Sequence, residues 1–417
     1  KLTYDYLMFS KSTSNWNTFK YRDYRILWIV LMTGGVASWL RILGFSQWLL
    51  DETGSPFLVG LIGIVQLVVQ LPSTLWAGTL ADRNDRKVIL AAAHGITFIV
   101  LALVSAADSS NLLTPGLIYL AIAIASGAQT LGGPSRAALI PGVFPEKEIM
   151  AAASTDTASQ NLAAIIGPLL FAFVAVNWGL TAVFFTCAIL CVPGSFGPFL
   201  LAVSGSADEK SELPKSQISE TLEGLSYVRK HPILPGLFLL DAAITTSSFY
   251  REILPVIALG LFAAGASGTG LLGSANSAGA IIGGIAVLAL TRFKAKGLIV
   301  LWASLAYGLF LLAFGLTGSL ITGMVLIALL GAADSVTVAV RVTTVMLTTP
   351  DKMRGRAFSL MYVAAQTSNN IGTIWVGFWA GVIGASSTMV MGGIISIVMT
   401  LLVLLLWEPI RKYRSND

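Results

Sequence analysis

Charge is what this sequence has least of. Asp, Glu, Lys and Arg make up only 11% of its 417 residues, whereas 55% are apolar and the mean hydropathy is +0.79. A water-soluble globular protein carries about 25% charged residues. So little charge excludes a soluble globular domain. It predicts an all-α polytopic membrane protein, because helices satisfy their own backbone hydrogen bonds inside lipid.

Two further absences limit the chemistry. The chain has only two cysteines, Cys187 and Cys191, and two histidines, His94 and His231. The cysteines lie four residues apart in one apolar run, which favours packing on one helix face over a disulfide or metal pair. The phosphate-binding pattern Gly-x-x-x-x-Gly-Lys-Ser/Thr is missing, so we do not expect ATP hydrolysis. We predict no enzyme activity, no metal and no cofactor.

Long apolar runs fill most of the chain. We count twelve candidate spans, each close to the ~20 residues that an α-helix needs to cross a bilayer. Turn-forming segments rich in Gly, Pro, Asn and Asp separate most of them. Spans 1 to 12 cover residues 26–50, 57–81, 88–106, 116–140, 151–177, 181–203, 233–258, 267–291, 297–316, 319–347, 358–383 and 386–407.

The positions of the cations predict the orientation. Of the 26 Lys and Arg residues, 22 lie in the termini or in the connectors that follow even-numbered spans. The positive-inside rule therefore places both termini in the cytoplasm. The net charge of +5 gives no reason to expect nucleic acid as a partner.

The connector between spans 6 and 7 is the longest and the most polar. Ile218, Leu222, Leu225 and Val228 recur in it at helical spacing, which predicts an amphipathic helix at the cytoplasmic face. The expected organisation is an N-terminal segment, a six-helix half, this linker, a second six-helix half and a tail. These cover residues 1–25, 26–203, 204–232, 233–407 and 408–417.

The two halves form an internal repeat. Arg136 and Arg341 are 205 residues apart, and the same offset relates Pro145-Glu146-Lys147 to Pro350-Asp351-Lys352. Six spans per half leave both halves in the same orientation. That arrangement predicts parallel repeats about an axis along the membrane normal.

A loop of ten residues with five charges, Gly78-Thr-Leu-Ala-Asp82-Arg83-Asn84-Asp85-Arg86-Lys87, joins spans 2 and 3. It resembles the signature loop between helices 2 and 3 of the major facilitator superfamily of transporters. Asp85 stands where that family usually has glycine. Aspartate accepts the positive φ of a tight turn better than most residues do, although less freely than glycine.

Three further motifs narrow the resemblance. They are Pro134-Ser-Arg136-Ala-Ala-Leu-Ile-Pro141 with Pro145-Glu-Lys, Glu220-Thr-Leu-Glu-Gly-Leu-Ser-Tyr-Val-Arg-Lys-His-Pro232, and Pro350-Asp-Lys-Met-Arg-Gly-Arg356. They resemble the subgroup that contains the enterobactin exporter and the macrolide efflux proteins. The resemblance implies the major facilitator fold, with twelve helices in two parallel repeats around a central cavity. It also implies a monomer in the bacterial inner membrane, surrounded by lipid, that exports an amphipathic siderophore or drug by proton antiport.

Charged side chains inside the spans are the candidates for transport. Ionisable groups cost ~2.5–3.5 kcal/mol at mid-span, so they usually face the protein interior or a water-filled cavity. Apart from Asp156 near the start of span 5, they all fall in spans 1, 4, 7 and 10. The resemblance implies that these four spans line the cavity. The predicted substrate cavity comprises Arg41, Gln47, Gln129, Tyr250, Gln366 and Asn370.

The resemblance also suggests roles for the remaining polar residues. Asp334, assisted by Asp241, is predicted to carry the coupling proton. Arg41, Arg251 and Glu252 are predicted to form an outer gate, with an Arg41–Glu252 ion pair closing it. The inner gate and signature loop comprise Gly78, Asp82, Arg83, Arg86, Lys87, Arg136, Arg341 and Arg356.

Structural interpretations stay open beside these roles. Arg136 and Arg341 could simply pair with acids, and Arg251 with Glu252 could form a pair at the outer surface. Two other functions also stay open. One is a lysophospholipid flippase of the same fold, and the other is a scaffold or receptor that transports nothing. A scaffold has no need of charges inside its spans.

Overall fold

The computed structural model describes residues 19–143, 149–205 and 217–414, and in these ranges it is helical without a β-strand. The repeat motif at residues 145–147 and the first part of the predicted linker lie outside the described residues. The helices of the first half are α1 (Arg22–Thr53), α2 (Pro56–Gly60), α3 (Ile62–Arg83), α4 (Arg86–Ser109), α5 (Pro115–Val143) and α6 (Ile149–Phe196). The helices that follow are α7 (Gln217–Lys230), α8 (Leu234–Ser248), α9 (Leu254–Phe262), α10 (Ala266–Leu290), α11 (Lys296–Leu316), α12 (Leu320–Thr348), α13 (Asp351–Ile383), α14 (Ala385–Leu406) and α15 (Glu408–Lys412).

Within the described residues, nine helical segments are long and apolar enough to cross a membrane. One of them contains two predicted spans, because α6 turns at Gly179, whose φ of 79° and ψ of 179° are not helical. A positive φ of this kind costs glycine little. Span 7 is divided between α8 and α9, and span 11 is the more polar α13. The arrangement is consistent with twelve crossings, and that number stays a prediction.

The break in span 7 departs from the single helix that the apolar run predicts. Phe249, which follows α8, has extended backbone with φ −71° and ψ 117°, and α9 begins only at Leu254 with Pro255 in its first turn. Proline lacks the amide hydrogen that a continuous helix would require at this position. The break presents Tyr250, Arg251 and Glu252 from a non-helical segment in the middle of the span.

Helix packing is described within the two predicted halves, whose bounds stay a prediction. In the first half, α1 and α4 pack on α6, and α5 packs on α3 and α4. In the second half, α10 and α11 pack on α12, and α14 packs on α8 and α11. The halves meet where α10 contacts α6, α13 contacts α2 and α3, and α1 contacts α9. Large apolar side chains on the outside, such as Trp76 and Ile321, are exposed, as expected of surfaces that face lipid.

The two ends of the molecule differ in how closely the halves approach. We call the end that carries the loop at residues 84–85 the loop face, and the end that carries residues 54–55, 179 and 384 the opposite face. Near the opposite face, a Cβ on Gly63 would lie 2.3 Å from the carbonyl oxygen of Asn370, so only glycine fits there. Phe57 and Phe378 also meet edge to face, with ring centroids 6.2 Å apart. The halves are therefore in close contact near the opposite face.

The linker helix α7 lies at the loop face and packs on the second half. Val228 is buried with Ala357 and Met361 of α13, whereas Leu225 is exposed. Its Tyr227 hydroxyl donates to the carbonyl oxygen of Thr348 at 3.3 Å. The side chains of Ile218 and Leu222 lie outside the described residues.

Candidate functional site: a cavity between the halves

A cavity of two adjoining lobes lies between the halves. The first lobe, of about 680 Å³, is lined mainly by α1, α3, α4, α5 and α13. The second lobe, of about 470 Å³, is lined mainly by α8, α10, α11, α12 and α13. Both lobes share Trp39, Phe249, Arg251, Tyr362, Gln366 and Asn369. Lining residues close to the loop-face ends of their helices, such as Ala77 and Arg136, show that the first lobe extends towards that face.

Neutral amides dominate the polar lining of the first lobe. Arg41 is buried, with 8% of its surface exposed, and its guanidinium donates to the side-chain oxygen of Gln129. Gln129 in turn donates to the Ser38 hydroxyl at 3.4 Å. Asn370 of the second half donates to the side-chain oxygen of Gln70 at 3.1 Å. These amides can donate and accept, so the lobe suits a ligand with several hydrogen-bonding groups.

The broken segment of span 7 lies where the two lobes meet. The Arg251 guanidinium stacks over the ring of Trp39 at 4.2 Å, a cation–π contact between the halves. Glu252 is buried, and the hydroxyl of Thr373 donates to its carboxylate at 3.5 Å.

The expected Arg41–Glu252 ion pair is absent from the described part of the chain. Arg41 faces Gln129 and Glu252 faces Thr373, so each side chain has a different partner. The rise per residue along spans 1 and 7 predicts that both residues lie in the outer half of the membrane. Depth did not fix the directions in which they point.

The second lobe holds the carboxylates. Asp241 of α8 forms an ion pair with Arg341 of α12. Asp334 is exposed to the lobe, and among the described residues its carboxylate accepts no hydrogen bond. Hydroxyl and amide groups surround these acids. Asn276 donates to the Tyr250 hydroxyl at 2.6 Å, and the hydroxyls of Ser248 and Tyr307 lie 3.1 Å apart.

The repeat-related arginines both pair with acids, but on different elements. Arg136 of α5 donates to both carboxylate oxygens of Asp156 on α6, at 3.1 and 3.3 Å. Arg341 of α12 pairs instead with Asp241 of α8. These ion pairs are the ones that the structural interpretation of Arg136 and Arg341 predicts. It also makes Asp241, a predicted proton carrier, one member of an ion pair.

Gln47 does not line either lobe, contrary to the prediction. Its side chain donates to Asp51 at 2.8 Å and accepts from the Thr269 hydroxyl of α10 at 3.3 Å. Six residues separate Gln47 from Arg41, which turns Gln47 by about 240° around α1. It therefore faces α10 instead of the cavity. The other five predicted lining residues, Arg41, Gln129, Tyr250, Gln366 and Asn370, do lie on it.

The signature loop is fastened to the segment that follows α6, at residues 201–205. The backbone amide of Arg86 donates to Gly205 at 2.9 Å, and the Lys87 ammonium donates to the carbonyl oxygen of Leu201 at 2.7 Å. Asp85 caps α4 by accepting from the Lys87 amide at 2.8 Å. Its φ of −63° is negative, so the turn does not need a glycine here. Gly78 is half-buried within α3.

The loop-face ends of α3 and α13 are not joined by the predicted gate residues. Asp82 and Arg83 are exposed, and within the described residues Asp82 accepts no hydrogen bond from α13. Arg356, near the start of α13, pairs instead with Glu223 of the linker helix α7.

Sequence reasoning missed three residues that shape the cavity: Trp39, Asn276 and Tyr307. Asn276 could have been identified from the sequence, because an amide in the middle of an apolar span needs a hydrogen-bonding partner on another helix. The sequence does not single out Trp39 or Tyr307, since aromatic residues are common at lipid-facing and at core positions. Glu223 was also missed as a partner, because exposed acids in a polar linker do not stand out.

Fold and cavity together define a membrane transporter, not an enzyme, and comparison with known proteins agrees. The solved structures that resemble this chain include the nucleoside transporter NupG, with a TM-score of 0.77 at 13% identity over 94% of this chain and 100% of that one. A bacterial homologue of the human lysosomal transporter Spinster, in an inward-facing and occupied conformation, has a TM-score of 0.70 at 15% identity over 95% and 99% of the two chains. These likenesses show the major facilitator fold.

The chain belongs to the transmembrane secretion effector family of the major facilitator superfamily, whose profile matches residues 13–417. Similar curated proteins include the enterobactin exporter EntS of Shigella boydii serotype 4, 26% identical over 374 residues, which are 87% of this chain and 86% of that protein. The enterobactin exporter EntS of Citrobacter koseri is 26% identical over 373 residues, which are 87% and 83% of the two chains. The chain is therefore an integral membrane protein that transports.

Proposed function

We propose that this chain is a secondary active exporter that moves an amphipathic small molecule, such as a siderophore or a drug, out of the cell in exchange for protons. It acts as a monomer in the bacterial inner membrane. The observation that carries the proposal is a charged cavity between two helical halves that are in close contact near the opposite face. Such a cavity can reach the two sides of a membrane in turn if the halves rock about their contact.

The direction of opening follows from the cation bias. The loop face carries the cationic connectors, which the positive-inside rule assigns to the cytoplasm together with both termini. On that assignment the first lobe extends towards the cytoplasm, the side from which an exporter takes its substrate. The relatives named as enterobactin exporters support export over import.

Proton coupling is proposed for the second lobe. Asp334 reaches the cavity without a hydrogen-bonding partner among the described residues, so protonation would not have to break a contact. Asp241 is held by Arg341, and protonation of Asp241 would release that arginine. A proton arriving at either carboxylate thus changes the charge of the lobe that the substrate enters.

The outer gate is proposed to use different contacts from those expected from sequence. Arg251 on Trp39 and Asn370 on Gln70 both join the halves across the cavity, near the middle of their helices. Thr269 on Gln47 adds a third link, between α10 and α1. All three must separate when the cavity opens to the opposite face.

Flux through proteoliposomes tests the proposal. We expect purified protein to drive uptake or release of an amphipathic dye when a pH gradient is imposed, and to move protons when a dye gradient is imposed. Asp334→Asn should abolish gradient-driven accumulation while leaving exchange. The matched control is Asp351→Asn, because the Asp351 side chain is 88% exposed, outside the cavity.

Two results would contradict the proposal. Protein without any flux in either assay, despite an intact elution profile, would favour a scaffold or receptor. Transbilayer movement of a fluorescent lysophospholipid, without movement of soluble dyes, would favour the flippase.

A further inference from the structure

Two cations of the cavity, Arg41 and Arg251, form no ion pair with an acid in the described part of the chain. Arg41 is buried and donates to the neutral side chain of Gln129, and the partly buried Arg251 stacks on the face of the Trp39 ring. The Nε atom of Arg251 is buried and donates to no acceptor among the described residues. A guanidinium has five N–H donors, so both side chains retain unused donors inside the protein.

The other arginines that line the cavity, Arg136 and Arg341, are different. Arg136 donates to both oxygens of Asp156, and Arg341 pairs with Asp241. Burying a cation without an anion is costly, and these two pairs show how the chain normally meets that cost. Arg41 and Arg251 depart from the pattern within the same cavity.

Neighbouring charges do not supply the missing anion. Glu252 is the adjacent acid and attracts Arg251, but its carboxylate accepts from Thr373 and lies beyond ion-pair distance of both arginines in the described part of the chain. An anion bound by both guanidinium groups would occupy their free donors.

The surroundings of the pair indicate what the anion is attached to. Both arginines line the first lobe, and Arg251 also lines the second. Where the lobes meet, the lining includes Trp39, Phe249 and Tyr362, whose rings offer flat apolar surfaces. The first lobe, about 680 Å³, lies within the ~300–1,000 Å³ of small-molecule sites.

We propose that Arg41 and Arg251 jointly bind an oxyanion, a carboxylate or a similar group, carried on the aromatic or apolar body of the transported molecule. This inference rests on the proposed export function and specifies its substrate class. One arginine belongs to each half, so a bound anion bridges the halves. The substrate thereby contributes to the contact between the two halves.

Binding to the protein in lipid nanodiscs tests the inference with two probes of nearly equal shape, 2-naphthoate and its neutral amide, 2-naphthamide. We expect calorimetric titration to show at least about ten-fold tighter binding of 2-naphthoate, because charge-assisted hydrogen bonds are the stronger ones. Arg41→Gln and Arg251→Gln should each remove most of this preference, and the Lys variants should retain part of it.

Arg292→Gln is the matched control, because Arg292 also stacks on an aromatic ring, that of Phe293 at 5.5 Å, but lies outside the cavity. It should bind both probes as the unchanged protein does. Equal affinity for the two probes, binding of neither, or a 2-naphthoate affinity indifferent to both Gln variants would overturn the anion site. Melting temperatures and elution profiles identify variants that fail to fold, and the Lys variants then decide.

Failure of the anion site and failure of the export proposal give different results. Gradient-driven flux of neutral or cationic dyes, unchanged in Arg251→Gln, would overturn the site and leave the exporter standing. Selective 2-naphthoate binding without any flux would support the site and contradict the exporter.

Discussion

The two faces of the molecule are held in different ways. Near the opposite face, backbone meets backbone, as where Gly63 reaches Asn370, and little could be inserted there. At the loop face, charged groups such as Asp82 and Arg83 stand exposed, and Arg356 is bound by the linker helix α7. Close packing is short-ranged and intolerant of added atoms, whereas exposed charges interact weakly and over longer distances. Contact between the halves therefore depends on close packing near the opposite face and on charge at the loop face.

The largest effect is expected from filling the packed face. Gly63→Leu adds a side chain whose Cβ alone would lie 2.3 Å from the Asn370 carbonyl oxygen. Overpacking costs typically ~1–3 kcal/mol, which corresponds to a ~5- to 150-fold loss of the state described here. The distance between spin labels at Glu52 and Ser387, measured by double electron–electron resonance, should lengthen. Gly318→Leu, where a Cβ meets nothing within 4 Å, should leave them unchanged.

A smaller shift is expected from the contact of Arg251 with Trp39. Trp39→Leu keeps an apolar side chain but removes the ring under the guanidinium. Since a cation–π contact contributes ~0.5–2 kcal/mol, separation of the halves near the opposite face should become ~2- to 30-fold more frequent. The same spin-label distances measure it. The frequency of separation in Trp39→Phe should lie between those of the unchanged protein and Trp39→Leu. An identical distance distribution in all three proteins would contradict this role of the contact.

A still smaller effect is expected at the charged face. The family resemblance implies that Asp82 meets the N-terminus of α13 when the loop face closes, and such a contact with a helix dipole is worth ~0.3–1 kcal/mol. Asp82→Asn should therefore favour the state described here by ~2- to 5-fold. Alkylation of an Ala137→Cys variant, in the first lobe, reports the opening. Glu52→Gln, on the opposite face, is the control, and equal alkylation rates in all backgrounds would refute the role of Asp82.

The smallest effect concerns the end of the linker. The Nδ1 atom of His231 accepts the amides of Ile233 and Leu234 at 3.2 Å, an arrangement that needs an unprotonated nitrogen. Burial lowers the pKa of His231 below its ordinary value of 6.5, against a smaller opposing effect of the Thr348 carbonyl. Because the open form binds the proton more readily, this cap is at full strength above pH 6.5 and weakens as pH falls below it.

Hydrogen exchange at the Ile233 and Leu234 amides measures that weakening, after correction for the intrinsic pH dependence of exchange. Protection should decrease below pH 6.5 in the unchanged protein. His231→Asn supplies an acceptor that does not titrate, so its protection should not change with pH. An equal loss of protection in both proteins would assign the effect to another group.

Sequence reasoning predicted the architecture because the fold depends on properties that run along the chain. The family, the helical class and the membrane location are confirmed. Apolar run lengths gave the spans. The shared offset of Arg136 and Arg341 predicts the repeat, and the two arginines lie on α5 and α12. The roles assigned to individual residues stay predictions.

Side-chain partners were harder to predict, because they depend on angles around helices and on breaks within them. Gln47 and Arg41 share α1, yet they face different neighbours. The break after Phe249 turned Arg251 onto Trp39, which a continuous span 7 would not have suggested. Asp85 replaces a glycine and then serves as a helix cap, a use that the loop pattern does not reveal.

The turn at Gly179 has a mechanical consequence. It joins the two arms of α6 through one residue, with no loop between them. The first arm touches the other half, since Ser274 of α10 donates to the carbonyl oxygen of Ile165 at 2.8 Å. The second arm holds α1, where the Cys187 thiol donates to the carbonyl oxygen of Ala37 at 3.0 Å. α1 also packs directly on the first arm, where the Trp28 indole donates to the Ser159 hydroxyl at 2.8 Å. A displacement of α10 against the first arm can therefore reach α1 both directly and through the second arm, with no loop between the two arms.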